Sequence, residues 1–214
     1  MARPKTEEKR KRILQAAVKV FARKGYFAAR VSEIAKKAGV ADGTIYLYFK
    51  SKEDILVRLF DEVMAEQAEE VRKAVGRRSS APERLRVIAE QHLRTMGANR
   101  DLAVVFQVEL RQSTKFLERF TASWLRDYFV LITEVIEQGQ REGSLRADLN
   151  TKVTTKAFFG ALDEIVTSWI IGGKGYDLEK LAAPMVDLFL WGAVTPRNAA
   201  SPRSITGAVA TGRG

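Results

Sequence analysis

The sequence has no cysteine and a single histidine among its 214 residues. Without cysteine, disulfides, thiolate metal ligands and cysteine nucleophiles are excluded, and a reducing compartment is indicated. Long apolar runs are missing too, because none reaches the roughly 18 residues that span a bilayer. The basic N-terminal segment also lacks the apolar region and cleavage site of a signal peptide. We therefore expect a soluble cytoplasmic protein without membrane partners.

Motifs of catalysis and cofactor binding are also missing. The chain contains no phosphate loop, no nucleophile elbow and no metal-ligand spacing. The only plausible acid–base groups are His92, Asp163 and Glu164. We therefore predict a protein that is not an enzyme, with no catalytic residue, no metal and no cofactor.

What the chain does have is one strongly basic segment. Residues 1–52 hold 14 Lys and Arg against 4 Asp and Glu, whereas residues 53–214 hold 22 against 22. The whole formal net charge of +10 therefore lies in the first quarter of the chain. A basic domain joined to a neutral one suggests a phosphate-rich partner for the first and a different task for the second.

Helical periodicity runs through almost the whole chain, and no strand-length segment alternates, so we predict an all-α fold of about nine helices. Ser32, Asp42 and Ser51 are the predicted N-caps of the second, third and fourth helices. The predicted helices run from Thr6 to Gly25, from Ser32 to Gly39, from Asp42 to Phe49, from Ser51 to the loop at 76–82, and roughly over 82–97, 101–113, 115–142, 150–172 and 177–194.

These helices divide into two predicted domains. Residues 1–52 form a three-helix DNA-binding domain, and residues 53–195 form a larger helical domain for ligand binding and dimerisation. The remaining residues, 196–214, are small and polar with Gly and Pro, so we expect a disordered tail.

The two short helices joined at Gly39 form a helix-turn-helix. In the second of them Ile45 and Phe49 lie four residues apart and face the core, which leaves Tyr46 to Tyr48 near the surface. DNA would cover these side chains, because hydroxyls bind phosphate oxygens and apolar groups contact thymine methyls. The alternative is that both tyrosines pack between the first and fourth helices. The predicted DNA-binding residues are Arg30, Ser32, Lys36, Gly43, Thr44, Tyr46, Leu47, Tyr48, Lys50 and Lys52.

Two segments carry a resemblance to a known family: Ile34-Ala-Lys-Lys-Ala-Gly-Val and Gly43-Thr-Ile-Tyr-Leu-Tyr-Phe-Lys-Ser-Lys-Glu-Asp. Over about residues 8–56 the chain resembles the TetR family of bacterial transcriptional regulators. The resemblance implies a homodimer that binds double-stranded DNA at a palindromic operator with two copies of the third helix. A small molecule in the larger domain would release the operator. The family often has His where this chain has Tyr48.

Wide apolar faces mark the helices from residue 101 onward, and the simplest interpretation of these faces is a hydrophobic core. The last two helices carry two apolar stripes suited to a four-helix dimer interface. The stripes are formed by Phe158, Gly160, Leu162 and Ile165 on one helix and by Leu181, Met185, Leu188 and Phe189 on the next.

Charged residues interrupt these apolar faces at Glu109, Arg111, Asp163 and Glu164. A buried charge needs a partner or a ligand, so two interpretations stay open. In one, Arg111 forms a structural pair with a carboxylate of the neighbouring helix. In the other, Arg111 anchors an anionic ligand head group or relays its arrival to the DNA-binding domain.

A closer resemblance lies in the larger domain. Asn99-Arg-Asp-Leu-Ala-Val-Val-Phe-Gln-Val-Glu-Leu-Arg-Gln-Ser113 and Asp163-Glu-Ile-Val-Thr-Ser-Trp169, with Tyr176-Asp-Leu, are similar to the branch of the TetR family that represses fatty-acid degradation. The resemblance implies that long-chain acyl-CoA is the inducer and that β-oxidation genes are the targets. An acyl chain needs an apolar tunnel, and the CoA phosphates need cations near its mouth. The predicted ligand-binding residues are Phe106, Gln107, Arg111, Leu131, Phe158, Leu162, Val166 and Trp169, with Arg86, Arg94 and Lys174 as further candidates for the mouth.

Three other functions stay open. A multidrug-sensing repressor of the same family is the nearest, and it would respond to several cationic dyes. An enzyme acting on acyl-CoA would have to use His92, Asp163 or Glu164, although His92 is more often a core or surface histidine. A ligand-independent DNA-packaging protein would bind DNA without regard to sequence. The predicted regulator itself would be associated with the nucleoid when it is bound to DNA.

Overall fold

The computed structural model describes residues 3–112, 125–173 and 175–192. Within these ranges the chain forms nine α-helices, two 3₁₀ turns and no β-strand, which confirms the predicted all-α fold. The predicted tail over 196–214 and residues 115–124 of a predicted helix lie outside the described residues. The helices are α1 (Arg3–Lys24), α2 (Val31–Ala38), α3 (Asp42–Ile45), α4 (Lys52–Gly76), α5 (Ala81–Ala98), α6 (Arg100–Gln107), α7 (Arg126–Arg141), α8 (Thr151–Gly172) and α9 (Ala182–Trp191).

Several helix ends follow the capping signals of the sequence. The hydroxyl of Ser51 accepts a hydrogen bond from the N–H of Asp54 at 3.1 Å and so caps α4 as predicted. The side chain of Asn150 accepts from the N–H of Val153 at 3.0 Å at the start of α8. Gly39 closes α2 with a φ of 66°, a left-handed conformation that glycine adopts without a steric penalty.

The predicted cap of α2 is wrong. The helix begins at Val31 with Arg30 as its N-cap, so Ser32 lies inside the first turn. The carboxylate of Glu33 accepts a hydrogen bond from the N–H of Arg30 at 3.1 Å. This bond satisfies one of the free N–H groups at the start of the helix, which makes a Ser32 cap unnecessary.

The third helix is shorter than predicted. The predicted Asp42 cap is also wrong, because the helix begins at Asp42 with Ala41 as its N-cap. It ends at Ile45, and a turn continues the chain to Tyr48. The N–H of Phe49 still bonds to the carbonyl of Ile45 at 3.0 Å. The segment keeps the helical spacing that buries both residues, although its regular helix has only four residues.

The predicted helix over 101–113 is interrupted. α6 ends at Gln107, and after Val108 the chain enters a 3₁₀ turn over Glu109–Gln112, here called the Glu109 turn. A second 3₁₀ turn, Leu178–Leu181, precedes α9, so the predicted helix over 177–194 also begins in a tighter form. The first of these breaks places charged side chains on a turn between the two domains.

The core extends through both domains without interruption. Phe21, Ile34 and Ile45 are fully buried among α1, α2 and α3, while Leu85 and Phe158 are fully buried in the larger domain. α6 packs against α1 on one side and against α8 on the other, and so connects the two parts of the core. Among the described residues, no helix is both long enough and apolar enough to cross a membrane.

Gly139 of α7 tests the packing of the larger domain. A Cβ on Gly139 would lie 2.6 Å from Cδ1 of Leu145 and 2.8 Å from Cβ of Ala81. We expect Gly139→Ala to lower the free energy of unfolding by about 1–3 kcal/mol through overpacking. Urea unfolding of the variant and of the parent protein measures the difference.

The matched control is Gly76→Ala at the end of α4, because a Cβ there meets no atom of the described residues within 4 Å. We expect this variant to unfold at nearly the parent urea concentration. Equal stability of the two variants would contradict the close approach of Gly139 to Ala81.

Candidate DNA-binding surface and ligand core

The surface predicted to meet DNA centres on α3 and the turn after it. Ile45 and Phe49 are buried, as their spacing predicts. Tyr46 and Leu47 keep 59% and 81% of their surface exposed, so the chain itself does not cover them. Tyr48 packs partly against the core. The alternative in which both tyrosines are packed therefore holds in part for Tyr48 and does not hold for Tyr46.

Polar and basic residues accompany this apolar pair. The N–H of Lys50 donates to the carboxylate of Asp54 at 2.9 Å, which fixes the backbone after the turn while the side chain of Lys50 stays exposed. Lys36 lines a cleft of about 720 Å³ beside other cations of α1 and α2. The other predicted DNA-binding residues with accessible surface are Arg30, Ser32, Gly43 and Thr44. Their contact with DNA stays a prediction.

Lys52 differs from the other predicted DNA-binding residues because its ammonium turns inward. Nζ donates to the carbonyls of Tyr26 at 2.8 Å, Phe27 at 3.1 Å and Ala29 at 2.9 Å, and it lies 4.6 Å from the ring centroid of Tyr26. An ammonium has three donors, so all three are engaged within the protein. Burial lowers the pKa of Lys52. Lys52 joins the start of α4 to the loop after α1, and its contact with DNA stays a prediction.

A buried carboxylate joins the two domains. Glu109 is only 4% exposed, and its Oε2 accepts a hydrogen bond from the N–H of Tyr26 at 2.6 Å. Gly25 precedes Tyr26 with a φ of 79°, a left-handed conformation that favours glycine and that turns the loop after α1 towards this carboxylate. The sequence singles out Glu109 but not Tyr26. Every residue except proline has a backbone N–H, so the partner leaves no signal in the sequence.

A polar network links the same turn to α8. Arg111 Nη2 donates to Asp163 Oδ1 at 2.5 Å, and Gln107 Nε2 donates to the same oxygen at 3.1 Å and to the Asp163 carbonyl at 3.2 Å. The hydroxyl of Thr167 also donates to that carbonyl, at 3.0 Å. The structural pair between Arg111 and a carboxylate is therefore confirmed. A ligand contact by Arg111 or Gln107 stays a prediction.

The apolar residues predicted to line a tunnel are packed core residues in this structure. The rings of Phe106 and Phe60 lie 4.7 Å apart, and those of Phe158 and Phe189 lie 5.0 Å apart. Trp169 Nε1 donates to the carbonyl of Tyr176 at 3.1 Å. Leu162 and Val166 are fully buried, and Leu131 is half-buried. Their role as tunnel lining stays a prediction.

His92 of α5 lies beside an aromatic cluster of α7 and α8. Its Nδ1 is 3.3 Å from the hydroxyl of Tyr128, and its ring centroid is 6.1 Å from that of Phe159. Burial lowers the pKa of His92 to about 4, so the imidazole is neutral at physiological pH. Burial also raises the pKa of Tyr128, which therefore keeps its proton. A core histidine with both ring nitrogens hydrogen-bonded is therefore found only in part. Nδ1 has a partner, but Nε2 is buried without a hydrogen-bond partner among the described residues.

Two of the candidate cations for a ligand mouth are paired with carboxylates. Arg94 holds Glu179 with two hydrogen bonds of 2.9 and 2.5 Å, and Arg86 donates to Asp187 at 2.6 Å. Lys174 lies outside the described residues. Arg94 thus joins α5 to the 3₁₀ turn before α9, and Arg86 joins α5 to α9 itself.

The comparisons with known proteins also find a small helix-turn-helix domain followed by a larger helical domain. Residues 13–59 match the model for bacterial regulatory proteins of the tetR family, and residues 60–192 match the model for the C-terminal region of YsiA-like proteins. The fatty acid metabolism regulator protein of Bacillus subtilis is 38% identical over 180 residues, which are 84% of this chain and 93% of the relative. The chain belongs to the TetR family.

Two solved structures of TetR-family proteins show how far the similarity extends. FadR from Bacillus subtilis, in complex with stearoyl-CoA, is 37% identical with a TM-score of 0.81, over 85% of this chain and 98% of FadR. The fatty acid degradation regulator FadR from Bacillus halodurans is 40% identical with a TM-score of 0.82, over 86% and 96% of the two chains. This chain is a TetR-type regulator homologous to these FadR proteins.

TetR-family membership decides one of the alternatives left open by the sequence. The relatives are transcriptional regulators rather than enzymes. An enzyme acting on acyl-CoA is therefore discarded, and His92, Asp163 and Glu164 need another explanation than acid–base catalysis.

The inward ammonium of Lys52 can be tested against the exposed Lys50. We expect Lys52→Met to lower the free energy of unfolding by about 1–3 kcal/mol, because it leaves backbone carbonyls of the loop after α1 without their donor. Lys50→Met should change the stability by less than about 0.5 kcal/mol, as for most surface substitutions. Urea unfolding measures both, and a stable Lys52→Met protein would contradict a structural role for the ammonium.

Proposed function

We propose that this TetR-family protein is a homodimeric repressor that binds a palindromic operator and releases it when long-chain acyl-CoA enters the larger domain. The observation that carries the proposal is the position of the Glu109 turn. Glu109 binds the DNA-binding domain at Tyr26, and Arg111 of the same turn binds α8 at Asp163. A ligand that moves this turn would act on both domains at once.

The exposed side chains of α3 and of the turn after it support the DNA-binding part of the proposal. Leu47 is a large apolar residue with most of its surface uncovered, and a base edge would cover it. We assign base contacts to Thr44 and Leu47, with Gly43 allowing close approach of the backbone. Phosphate contacts fall to Arg30, Ser32, Lys36, Tyr46, Tyr48 and Lys50. Lys52 contributes mainly from within, by fixing the start of α4.

The FadR structure with stearoyl-CoA supports a long-chain acyl-CoA as the ligand, since that protein is 37% identical to this chain. Most of the predicted lining residues are buried in the core, so an acyl chain among them would have to displace packed side chains. Phe106 and Gln107 end α6 directly before the Glu109 turn. Displacement of either residue would therefore move the turn, which couples ligand binding to DNA binding. β-Oxidation genes are the targets we propose for such a regulator.

The homodimer is proposed from the exposed apolar side chains of α8 and α9. Ile171 is 79% exposed, Leu188 56% and Trp191 78%, although large apolar residues favour burial. Phe158 and Leu162, which the sequence assigns to the same interface, are fully buried within the chain itself. The exposed side chains would instead form the interface, and two-fold symmetry would present two copies of α3 to the two half-sites.

The proposal is tested with an operator that the protein itself selects from random sequence. Binding of this duplex is measured at fixed salt by fluorescence anisotropy, with and without saturating stearoyl-CoA. We expect stearoyl-CoA to release the operator because it occupies the ligand core, and we expect no release by free CoA or by stearate. On a size-exclusion column with light scattering, the free protein should have the mass of a dimer.

Other outcomes favour the alternatives. Release by several cationic dyes but not by acyl-CoA would favour a multidrug-sensing repressor. Binding that no acyl-CoA changes would remove the ligand from the proposal, and failure to select any sequence would favour DNA packaging.

The coupling through the Glu109 turn gives a further prediction. Glu109→Ala removes the carboxylate that holds the N–H of Tyr26, so ligand binding should no longer reach the DNA-binding domain. We expect the ratio of operator affinities without and with stearoyl-CoA to fall towards one, a loss of about 1–3 kcal/mol of coupling free energy. Titration of the operator at zero and saturating ligand measures this ratio. Arg111→Ala should also reduce release while operator affinity without ligand stays near the parent value.

Glu164→Ala is the matched control, because Glu164 is exposed on α8 and its described hydrogen bond, of 2.8 Å, is with Ser168 one turn away. This variant should keep full release by stearoyl-CoA. Normal release by Glu109→Ala, or an equal loss in both variants, would refute the proposed path.

A further inference from the structure

His92 carries a polar atom that the fold leaves unused. Its Nε2 is buried without a hydrogen-bond partner among the described residues, although buried polar atoms in proteins are nearly always paired. The residue as a whole keeps part of its surface accessible, whereas Nε2 itself is enclosed, so a ligand atom would reach it by displacing neighbouring side chains. We infer that His92 Nε2–H donates a hydrogen bond to the thioester carbonyl of the bound acyl-CoA, an inference that rests on the proposed function.

The pairing of His92 with Tyr128 allows the tautomer that the inference requires. A neutral imidazole carries one N–H, and the nitrogen without it can only accept. When the hydroxyl of Tyr128 donates to Nδ1, 3.3 Å away, the proton of His92 lies on Nε2. Because burial keeps the imidazole neutral, Nε2 is then a fixed, uncharged donor inside the helical domain.

The surroundings of His92 favour an acceptor without a donor of its own. Aromatic rings of Tyr128 and Phe159 lie with their centroids 5.9 and 6.1 Å from that of His92, and Phe129 stacks edge-on against Phe159 at 4.9 Å. A thioester fits such a place, because it has one carbonyl acceptor and no N–H. The pantetheine amides of CoA each bring an N–H that would need an acceptor, and the nearby Asp163 carboxylate already accepts from Arg111 and Gln107.

The position of His92 relates this donor to the predicted ligand core. Phe159 is on α8, the helix that also carries Leu162 and Val166 of the predicted lining. Asp163, one turn beyond Phe159, is close enough to His92 to act on its pKa, in the direction that opposes the effect of burial. A carbonyl at Nε2 would therefore lie beside the apolar residues that receive the acyl chain and near the carboxylate bound by Arg111.

A neutral donor also selects against the free fatty acid. The carboxylate of a fatty acid is charged at physiological pH, and moving it into an apolar site without a cation is unfavourable. His92 cannot supply that cation near neutral pH, because its pKa is about 4. The donor at His92 thus suits the uncharged thioester, and it disfavours the free acid as long as the nearby guanidinium of Arg111 stays paired with Asp163.

The test compares stearoyl-CoA with S-octadecyl-CoA, the thioether in which a methylene replaces the carbonyl. Dissociation constants of both are measured by isothermal titration calorimetry on the full-length parent protein, His92→Phe and His92→Gln. We expect the parent protein to bind the thioester roughly tenfold more tightly than the thioether, as one buried hydrogen bond allows. In His92→Phe the two affinities should become equal through loss of thioester affinity, while His92→Gln, which keeps an N–H donor, should retain part of the preference.

Two results would overturn the inference and leave the proposed function standing. One is equal binding of thioester and thioether by the parent protein, with both ligands releasing the operator. The other is an unchanged preference in His92→Phe. Circular dichroism shows whether His92→Phe folds. If it does not, the test rests on His92→Gln and Tyr128→Phe. An unchanged preference for the thioester over the thioether in both variants would refute the contact. Failure of the parent protein to bind either ligand would refute the proposed function and the inference with it.

Discussion

The hydrogen bond between the buried carboxylate of Glu109 and the N–H of Tyr26 fixes how the two domains meet. A carboxylate inside a protein is tolerated only where donors hold it, so the loop after α1 is tied to this position. The carbonyl of the same Tyr26 accepts from Lys52, the first residue of α4. The backbone of one residue is therefore held by the ligand domain through its N–H and by the fourth helix through its C=O. The orientation of the helix-turn-helix depends on this double attachment.

The Glu109 turn is also attached to α8. Asp163 receives Arg111 and Gln107, and these contacts lie against an otherwise apolar helix interface. Polar networks in such surroundings are worth most when every member is paired, and they resist partial rearrangement. Because α6 has only eight residues and packs on both domains, it has little room to absorb a shift at one end. A shift at one end of α6 would therefore be passed on to the Glu109 turn.

The sequence predicts the fold well where a signal is local. The Ser51 cap, the left-handed Gly39 and the burial of Ile45 with Phe49 all follow from residue type and spacing. The predicted cap of α2 is wrong because the Glu33 carboxylate reaches back to the N–H of Arg30. The predicted length of α3 is wrong because turn bonds, from the N–H of Leu47 to Thr44 and from that of Tyr48 to Ile45, replace the α-helical pattern. For the candidate site, Glu109 stands out as a charge on an apolar face, but its partner is a backbone atom. The inward orientation of the Lys52 side chain also has no signal in the sequence. Its acceptors are backbone carbonyls that come together only when the chain folds.

The division of charge gives the two domains different sensitivities to ionic strength. The net charge of +10 belongs to residues 1–52, and the rest of the chain is balanced. Each phosphate that a cation neutralises releases counterions, so DNA affinity falls with a log–log slope of about 0.9 per contact as salt rises. Enclosure of an uncharged acyl chain in an apolar core has no such dependence. Rising salt would therefore weaken the contacts of the basic domain with DNA and any contacts of cations with the CoA phosphates, while enclosure of the acyl chain itself would change little.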